Sequence, residues 1–123
     1  MKTAEEKQEF EIGLSIYLPY GLKVEKDGQE YTVVNDHEYA LAHSFVLELV
    51  DVINEDLKPI LRPLSSITDE ENKEYLEVLL SCQNSTERMV KNIDYLSRNF
   101  YDYRGWIEKG WAKEEKKNEE KAG

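Results

Sequence analysis

Two histidines and a single cysteine are the side chains of this sequence best suited to bind a metal or to attack a substrate. Zinc needs about four nitrogen or sulfur ligands. His37 and His43 lie far along the chain from Cys82, and the sequence contains neither an HExxH nor a CxxC motif. Cys82 is predicted at the carboxyl end of a helix, where the helix dipole disfavours a thiolate. We therefore expect no metal, no cofactor and no catalytic residue.

Three carboxylates follow a helical spacing. Glu48, Asp51 and Glu55 recur at intervals of three and four residues, which places them along one ridge of a helix. A divalent cation needs oxygen ligands that converge from several elements, and one ridge does not supply them. Two interpretations stay open, a solvated helix face and a docking ridge for a basic protein surface.

Aromatic residues crowd a segment near the end of the sequence. This segment contains Tyr101, Tyr103, Arg104, Trp106 and Trp111. Large aromatic and arginine side chains anchor many protein interfaces. Tyr103 shares the apolar stripe described below and is expected in the core, whereas Tyr101, Trp106 and Trp111 lie partly off it. An interface and packing against a β-hairpin are both open for these three, and with Arg104 they are candidate partner-binding residues.

Composition narrows the classes of partner. The formal charge of −10 disfavours direct binding to free nucleic acid and to anionic membranes, because like charges repel. It permits fast, salt-sensitive capture by a basic protein surface, and it also serves solubility alone. No stretch approaches the roughly 18 apolar residues of a membrane span, and the N-terminal segment lacks the apolar core of a signal peptide. With one cysteine and no internal disulfide, the sequence predicts a cytoplasmic protein.

The longest helical pattern runs from Thr86 to Lys109. Its apolar residues recur in steps of four and three and form one stripe, made of Met89, Ile93, Leu96, Phe100, Tyr103 and Ile107. Asn84 and Ser85 supply a start signal, and Gly110 supplies a stop. A stripe of this length must be buried, so we expect this helix to be central.

The β-structure is expected in the first half of the chain. Asp27-Gly28 is a strong tight-turn signal and predicts a hairpin with strands at residues 22–25 and 30–34. A β-type pattern already begins at Ile12, but a proline and a glycine break it. Residues 58–67 contain two prolines and read as extended chain that can add a third strand at a sheet edge.

Two further helices are predicted. Apolar residues between Glu38 and Leu57 fit one helical face, with a strand over residues 45–53 as the alternative. Thr68 and Glu71 form a capping box that starts a helix ending near Leu80. The leucines expected to face inward on that helix are Leu76, Leu79 and Leu80.

The predicted organisation is α+β, with a small antiparallel sheet packed on two or three helices. Residues 1–11 are expected to be loosely ordered, residues 12–111 to form one domain, and residues 112–123 to be a charged, frayed or disordered tail.

Three segments of the chain resemble, in the same order, a group of small phage and prophage proteins. They are IYLPYGLKV at residues 16–24, KPILRPLSSIT at residues 58–68 and NFYDYRGWIEKGWA at residues 99–112. Members of that group carry YLPYGLKV, KPILRPLSDLT-like and DYRGLIEKGLA-like segments. This chain departs from them at Trp106 and Trp111, where leucines are usual, and in its acidic stretch after Asp36. The resemblance implies no particular activity. It does imply that the gene belongs to a mobile genetic element, and the small acidic proteins of such elements often act by binding.

These observations together predict a phage accessory protein that is not an enzyme. By analogy with anti-CRISPR proteins, we expect it to inhibit an RNA-guided host nuclease, whose basic guide-RNA channel suits an acidic partner. The alternative is a structural or housekeeping phage protein that self-associates. The expected oligomeric state is a monomer or a weak homodimer. The candidate contacts are Glu48, Asp51, Glu55, Tyr101, Arg104, Trp106 and Trp111.

Overall fold

The computed structural model describes residues 2–115 and has an α+β fold. Five strands form one sheet, and helices pack around it. The helices are α1 (Ala4–Tyr17), α2 (His37–Ala42), α3 (Leu49–Asn54), α4 (Asp69–Leu80), α5 (Ser85–Arg98) and α6 (Trp106–Lys109). The strands are β1 (Lys23–Lys26), β2 (Gln29–Val34), β3 (Val46–Glu48), β4 (Lys58–Leu61) and β5 (Lys113–Glu114). No helix within residues 2–115 combines the length and the apolar character that a membrane crossing requires.

The sheet has the order β3-β2-β1-β4-β5 and is mixed, not antiparallel throughout as predicted. Strand β1 runs antiparallel to β2 and β4, while the β2–β3 and β4–β5 pairs are parallel. The predicted hairpin is confirmed, because Lys26 pairs with Gln29 across a two-residue turn. Asp27 and Gly28 have φ of 53° and 81°, the left-handed geometry that such a turn needs. The predicted third strand is confirmed as β4, but it lies between β1 and β5 and not at an edge.

The prediction of a loosely ordered N-terminus is wrong. Helix α1 begins at a capping box in which Thr3 and Glu6 bond each other's backbone amides. Phe10, Leu14 and Tyr17 are buried on its inner face. Their spacing of four and three residues is helical, but the apparent β-pattern from Ile12 divided this stripe between two segments.

The predicted central helix is also shorter than expected. Helix α5 ends at Arg98, and Phe100 has a φ of 59°. The chain then runs beside Arg62, whose amide donates to the Phe100 carbonyl while its carbonyl accepts from the Asp102 amide, at 2.8 Å in both cases. The apolar spacing continues through this break. The helix ends with local bonds, in which the Tyr101 amide donates to the Leu96 carbonyl at 2.9 Å, and with this pairing to a distant segment.

The helix predicted from Glu38 to Leu57 is divided into α2, β3 and α3. Phe45 has a φ of 60°, and its carbonyl accepts a hydrogen bond from the Thr32 amide at 3.0 Å. This bond starts the β2–β3 pairing, so the strand alternative holds for Val46–Glu48 only. Helix α3 then begins directly at Leu49.

Two apolar clusters form the interior. The larger cluster lies between α1, the sheet and α6; its buried residues are Phe10, Leu14, Tyr17, Leu22, Val24, Val33, Leu49, Val52, Leu61, Trp106 and Ala112. The smaller cluster contains Tyr95, Leu96 and Tyr101, with Ile67, Tyr75 and Val78 packed against it. Ala112 and β5 therefore belong to the folded body and not to the predicted tail. The rest of that predicted tail, residues 116–123, lies outside the described residues.

Candidate protein-binding surface

Two of the aromatic candidates are buried and cannot touch a partner, so this part of the prediction is wrong. Trp106 and Tyr101 each have 0% of their surface exposed. The indole of Trp106 lies 5.0 Å from the ring of Phe10 and 6.4 Å from that of Tyr17, measured between centroids. Tyr101 donates its hydroxyl proton to Glu71 at 2.8 Å, and burial raises the pKa of this phenol. Both side chains hold the core together.

The other two members of the aromatic segment lie at the rim of the core. Trp111 is half-buried beside Phe10, with ring centroids 6.1 Å apart, and the amine of Lys109 lies 4.7 Å from its ring. Arg104 is half-buried with its guanidinium 5.6 Å from the Tyr103 ring. The ion pairs within residues 2–115 do not join Arg104 to any of the acidic candidates. The aromatic and acidic candidates are therefore not held together as one site.

The three acidic candidates do not form one helical ridge, because the helix that would carry them is divided. Glu48 ends β3, Asp51 lies in α3, and Glu55 follows α3. The Glu48 carboxylate lies 2.5 Å from Nδ1 of His37. This hydrogen bond is the main reason why the pKa of the His37 imidazole is raised. Glu55 pairs with Lys26 at 2.8 Å. Basic side chains of the chain itself, His37 and Lys26, therefore already engage two of the three carboxylates.

A different surface is formed by the helical hairpin of α4 and α5. The two helices run antiparallel and contact each other through Tyr75, whose hydroxyl bonds the Asn92 side chain and whose ring lies 5.2 Å from that of Tyr95. The Tyr95 hydroxyl reaches the Glu74 carboxylate at 2.9 Å and the Glu71 carbonyl at 3.0 Å. Burial and the Glu74 carboxylate raise the pKa of Tyr95 to about 12, so the phenol stays a donor and holds the helices together.

Five apolar side chains of this hairpin are exposed, although the sequence predicts that four of them face inward. We call these four the hairpin face; the fifth is Val90. The exposed fractions are 47% for Leu76, 82% for Leu80, 64% for Met89 and 38% for Ile93. Successive residues of a helix are rotated by about 100° around its axis, so Leu76 and Ile93, which follow Tyr75 and Asn92, point away from the contact between the helices. Because the two helices run antiparallel, both side chains point to the same side of the hairpin.

The hairpin face therefore has two apolar levels. With Tyr75 bonded to Asn92, regular helix geometry places Leu76 level with Ile93 and, one turn closer to the connection, Leu80 level with Met89. Residues four apart on one helix fall about 6 Å apart along its axis. The two levels together make a short apolar strip between the helices.

Acidic residues border this face on the α4 side. Asp69, Glu70 and Glu77 are exposed, and the ion pairs that join residues 2–115 include none of them. Glu71, by contrast, accepts two bonds from Arg62 at 2.8 and 2.9 Å, which lowers its pKa to about 2. On the α5 side the border is uncharged, with Thr86 and Val90 exposed. Lys73 is also exposed on this side of α4, one turn before Leu76 and Glu77, so the flank carries three carboxylates and one ammonium group. The face is thus apolar with one flank that is negative on balance.

A second group of exposed apolar residues lies between Tyr39 and Val50. Its aromatic members have ring contacts within the chain, with Tyr39 stacked on His43 at 3.9 Å and Phe45 at 5.9 Å from the Tyr31 ring. Both nevertheless stay exposed, by 46% and 57%. Leu41, exposed by 74%, stands on a separate helix, α2. This group offers a useful control surface.

Sequence periodicity does not predict the hairpin face, because it does not tell a stripe that faces the core from one that faces solvent. The same periodicity predicts inward positions for Met89 and Ile93 and for Leu76 and Leu80. Within residues 2–115 no three His, Cys, Asp or Glu side chains come together in a metal-binding group.

Comparison of the chain with protein-family models, curated proteins and solved structures found no match.

Proposed function

We propose that this protein acts by binding another protein through the hairpin face. The observation that carries the proposal is the exposed apolar strip of Leu76, Leu80, Met89 and Ile93 outside the core. Covering an aliphatic or methionine side chain completely contributes about 1.5–3 kcal/mol relative to leaving it in water. Contiguous exposed apolar residues rimmed by polar ones are typical of interaction sites.

The charge supports a basic partner. Asp69, Glu70 and Glu77 flank the strip, and the chain as a whole carries −10. Complementary charge accelerates association and makes it sensitive to salt. Two copies of this chain would instead repel each other as they approach.

In biological terms, we propose a phage or prophage accessory protein that inhibits an RNA-guided nuclease. The support is the resemblance of residues 16–24, 58–68 and 99–112 to phage proteins, together with the acidic charge. Such nucleases hold guide RNA and target in a positively charged channel. An acidic protein with an apolar contact strip would occupy or cover part of that channel.

The second candidate function is self-association in a structural phage protein. It is favoured by one observation, that the four residues of the hairpin face carry no charge. Gel filtration at about 50 mM and about 500 mM salt separates the two functions. The Debye length is shorter at the higher concentration, so charge interactions between molecules are weaker there. A monomer at both concentrations counts against self-association, and a dimer that persists at high salt supports it.

A cleavage assay tests the inhibitor directly. Purified RNA-guided nucleases would be incubated with target DNA and increasing amounts of the chain. We expect inhibition that the double substitution Leu80→Glu, Met89→Glu weakens by at least about tenfold, since truncating or charging interface centres commonly costs this much. Leu41→Glu is the matched control, because Leu41 is also strongly exposed but lies on a helix outside the hairpin.

Charge reversal separates the two acidic groups. Glu70→Lys with Glu77→Lys should weaken inhibition if the border of the hairpin face attracts the partner. Reversal of Glu48, Asp51 and Glu55 tests the acidic ridge predicted from the sequence. Full inhibition by the Leu80→Glu, Met89→Glu variant, or no inhibition of any nuclease in the panel, would contradict the proposed function.

A further inference from the structure

We infer that the element bound by the hairpin face is an amphipathic α-helix with basic residues along one flank, an inference that rests on the proposed function and names its partner element. The helix would lie along the seam between α4 and α5 and add a third helix to the hairpin.

The backbone of the bound segment supplies the first argument. The four side chains of the hairpin face belong to helices, where the backbone groups bond each other. Leu76, Leu80, Met89 and Ile93 themselves offer no strong hydrogen-bond donor or acceptor. An extended segment laid on this strip would lose water from its amides and carbonyls without gaining partners, which is costly. A helix brings its backbone groups already bonded to each other. The chemistry of the strip therefore selects a helix over a strand.

The spacing of the strip supplies the second argument. Leu76 and Leu80 form one short ridge on α4, and Met89 and Ile93 form another on α5, with the seam between them. Side chains at three- and four-residue intervals on a third helix fit into such a groove. The bound helix needs at least two apolar residues one turn apart to fill both levels.

The flanking charge supplies the third argument and sets the composition of the partner. Asp69, Glu70 and Glu77 are exposed along the α4 side, where Lys73 is the one exposed cation among them, so the acidic residues outnumber the basic ones three to one. The α5 side presents Thr86 and Val90. Lysine or arginine residues are therefore favoured along one flank of the bound helix, and uncharged residues along the other.

Two synthetic peptides of identical leucine and lysine content test this inference. In one, the leucines recur with the helical period; in the other, leucine and lysine alternate with the strand period. Each labelled peptide, about 14 residues long, would be titrated with the full chain and followed by fluorescence anisotropy and circular dichroism. We expect the helical-period peptide to bind at least about tenfold more tightly and to become helical on binding.

Variants locate the binding. Leu80→Glu with Met89→Glu should weaken binding of the helical-period peptide by at least about tenfold. Leu41→Glu should change it by less than about twofold, since it adds a negative charge away from the hairpin. Equal affinity for the two peptides, or equal weakening by both sets of variants, would overturn the inference. This outcome differs from failure of the proposed function, which is the absence of hairpin-dependent inhibition in the cleavage assay.

Discussion

Replacing Gly13 by alanine tests the packing on which the whole core depends. Gly13 lies within α1. A Cβ atom built there would lie much closer than 3.0 Å to the Cζ2 and Cη2 atoms of the Trp106 indole, a separation that real Cβ atoms essentially never show. The same Cβ lies 3.3 Å from Cδ of Arg104. The indole cannot easily retreat, because the rings of Phe10 and Trp111 lie 5.0 and 6.0 Å away.

The expected magnitude is a balance of two effects. Alanine favours the helix by about 1 kcal/mol relative to glycine. Overpacking a core costs about 1–3 kcal/mol, and a rigid ring held on several sides favours the upper part of that range. We therefore expect Gly13→Ala to lower the free energy of unfolding by about 1–2 kcal/mol, which corresponds to a fall in Tm of about 3–10 °C.

Urea unfolding followed by circular dichroism measures this change, and a double-mutant cycle identifies its cause. In a Trp106→Phe background the outer ring of the indole is gone, so Gly13→Ala should stabilise the protein by about 0.5–1 kcal/mol. Gln8→Ala, at an exposed position of α1, is the control for helix propensity alone. Stabilisation by Gly13→Ala in the native background would refute the proposed contact between α1 and α6.

Three further predictions concern buried and paired polar groups. The pKa of Glu71 is about 2, below its ordinary 4.5, so its pairing with Arg62 stabilises the fold fully above about pH 4.5 and progressively less as the pH falls toward 2. The difference in the free energy of unfolding between the native chain and Glu71→Gln, measured in urea, should shrink over that range. Glu48→Gln should lower the pKa of His37, which the Glu48 hydrogen bond raises above 6.5, in an NMR titration with His43 as internal reference. Asp102→Ala removes the acceptor of two α6 amides, at 2.8 and 2.9 Å, and should cost about 1–3 kcal/mol in urea unfolding, with partial recovery in Asp102→Asn.

Each of these has a contrary outcome. A stability difference for Glu71→Gln that stays constant between about pH 6 and about pH 2.5 would mean that the Arg62 pairing does not depend on ionisation. An unchanged His37 titration would mean that the Glu48 contact is absent in solution. Full stability of Asp102→Ala would show that water replaces the carboxylate at the start of α6.

Local signals in the sequence identified several elements correctly. Asp27-Gly28 predicts the β1–β2 turn because both residues tolerate left-handed geometry. Thr68 and Glu71 predict the start of α4 because their side chains bond amides only three residues away. The fold class follows from such elements, since a hairpin and capped helices in one chain require an α+β arrangement.

The candidate surface could not be found in this way. At the break after α5 the chain pairs with Arg62, which is far away in sequence, while the apolar spacing through Phe100 and Tyr103 continues unchanged. At Phe45, pairing with β2 likewise divides a regular helical pattern. In both places the chain forms backbone hydrogen bonds to a distant segment that the local helical pattern does not predict.

The sequence by itself determined the net charge of −10, the β1–β2 turn, the capped start of α4 and the α+β class, because composition and near-neighbour bonds decide them. Only the tertiary structure decided that Tyr101 and Trp106 are buried and that Met89 and Leu80 face solvent. Periodicity states that apolar residues share one side of a helix. Which side is covered depends on the elements that reach it. Here α1 and α6 cover the aromatic segment, whereas the hairpin face stays exposed among residues 2–115.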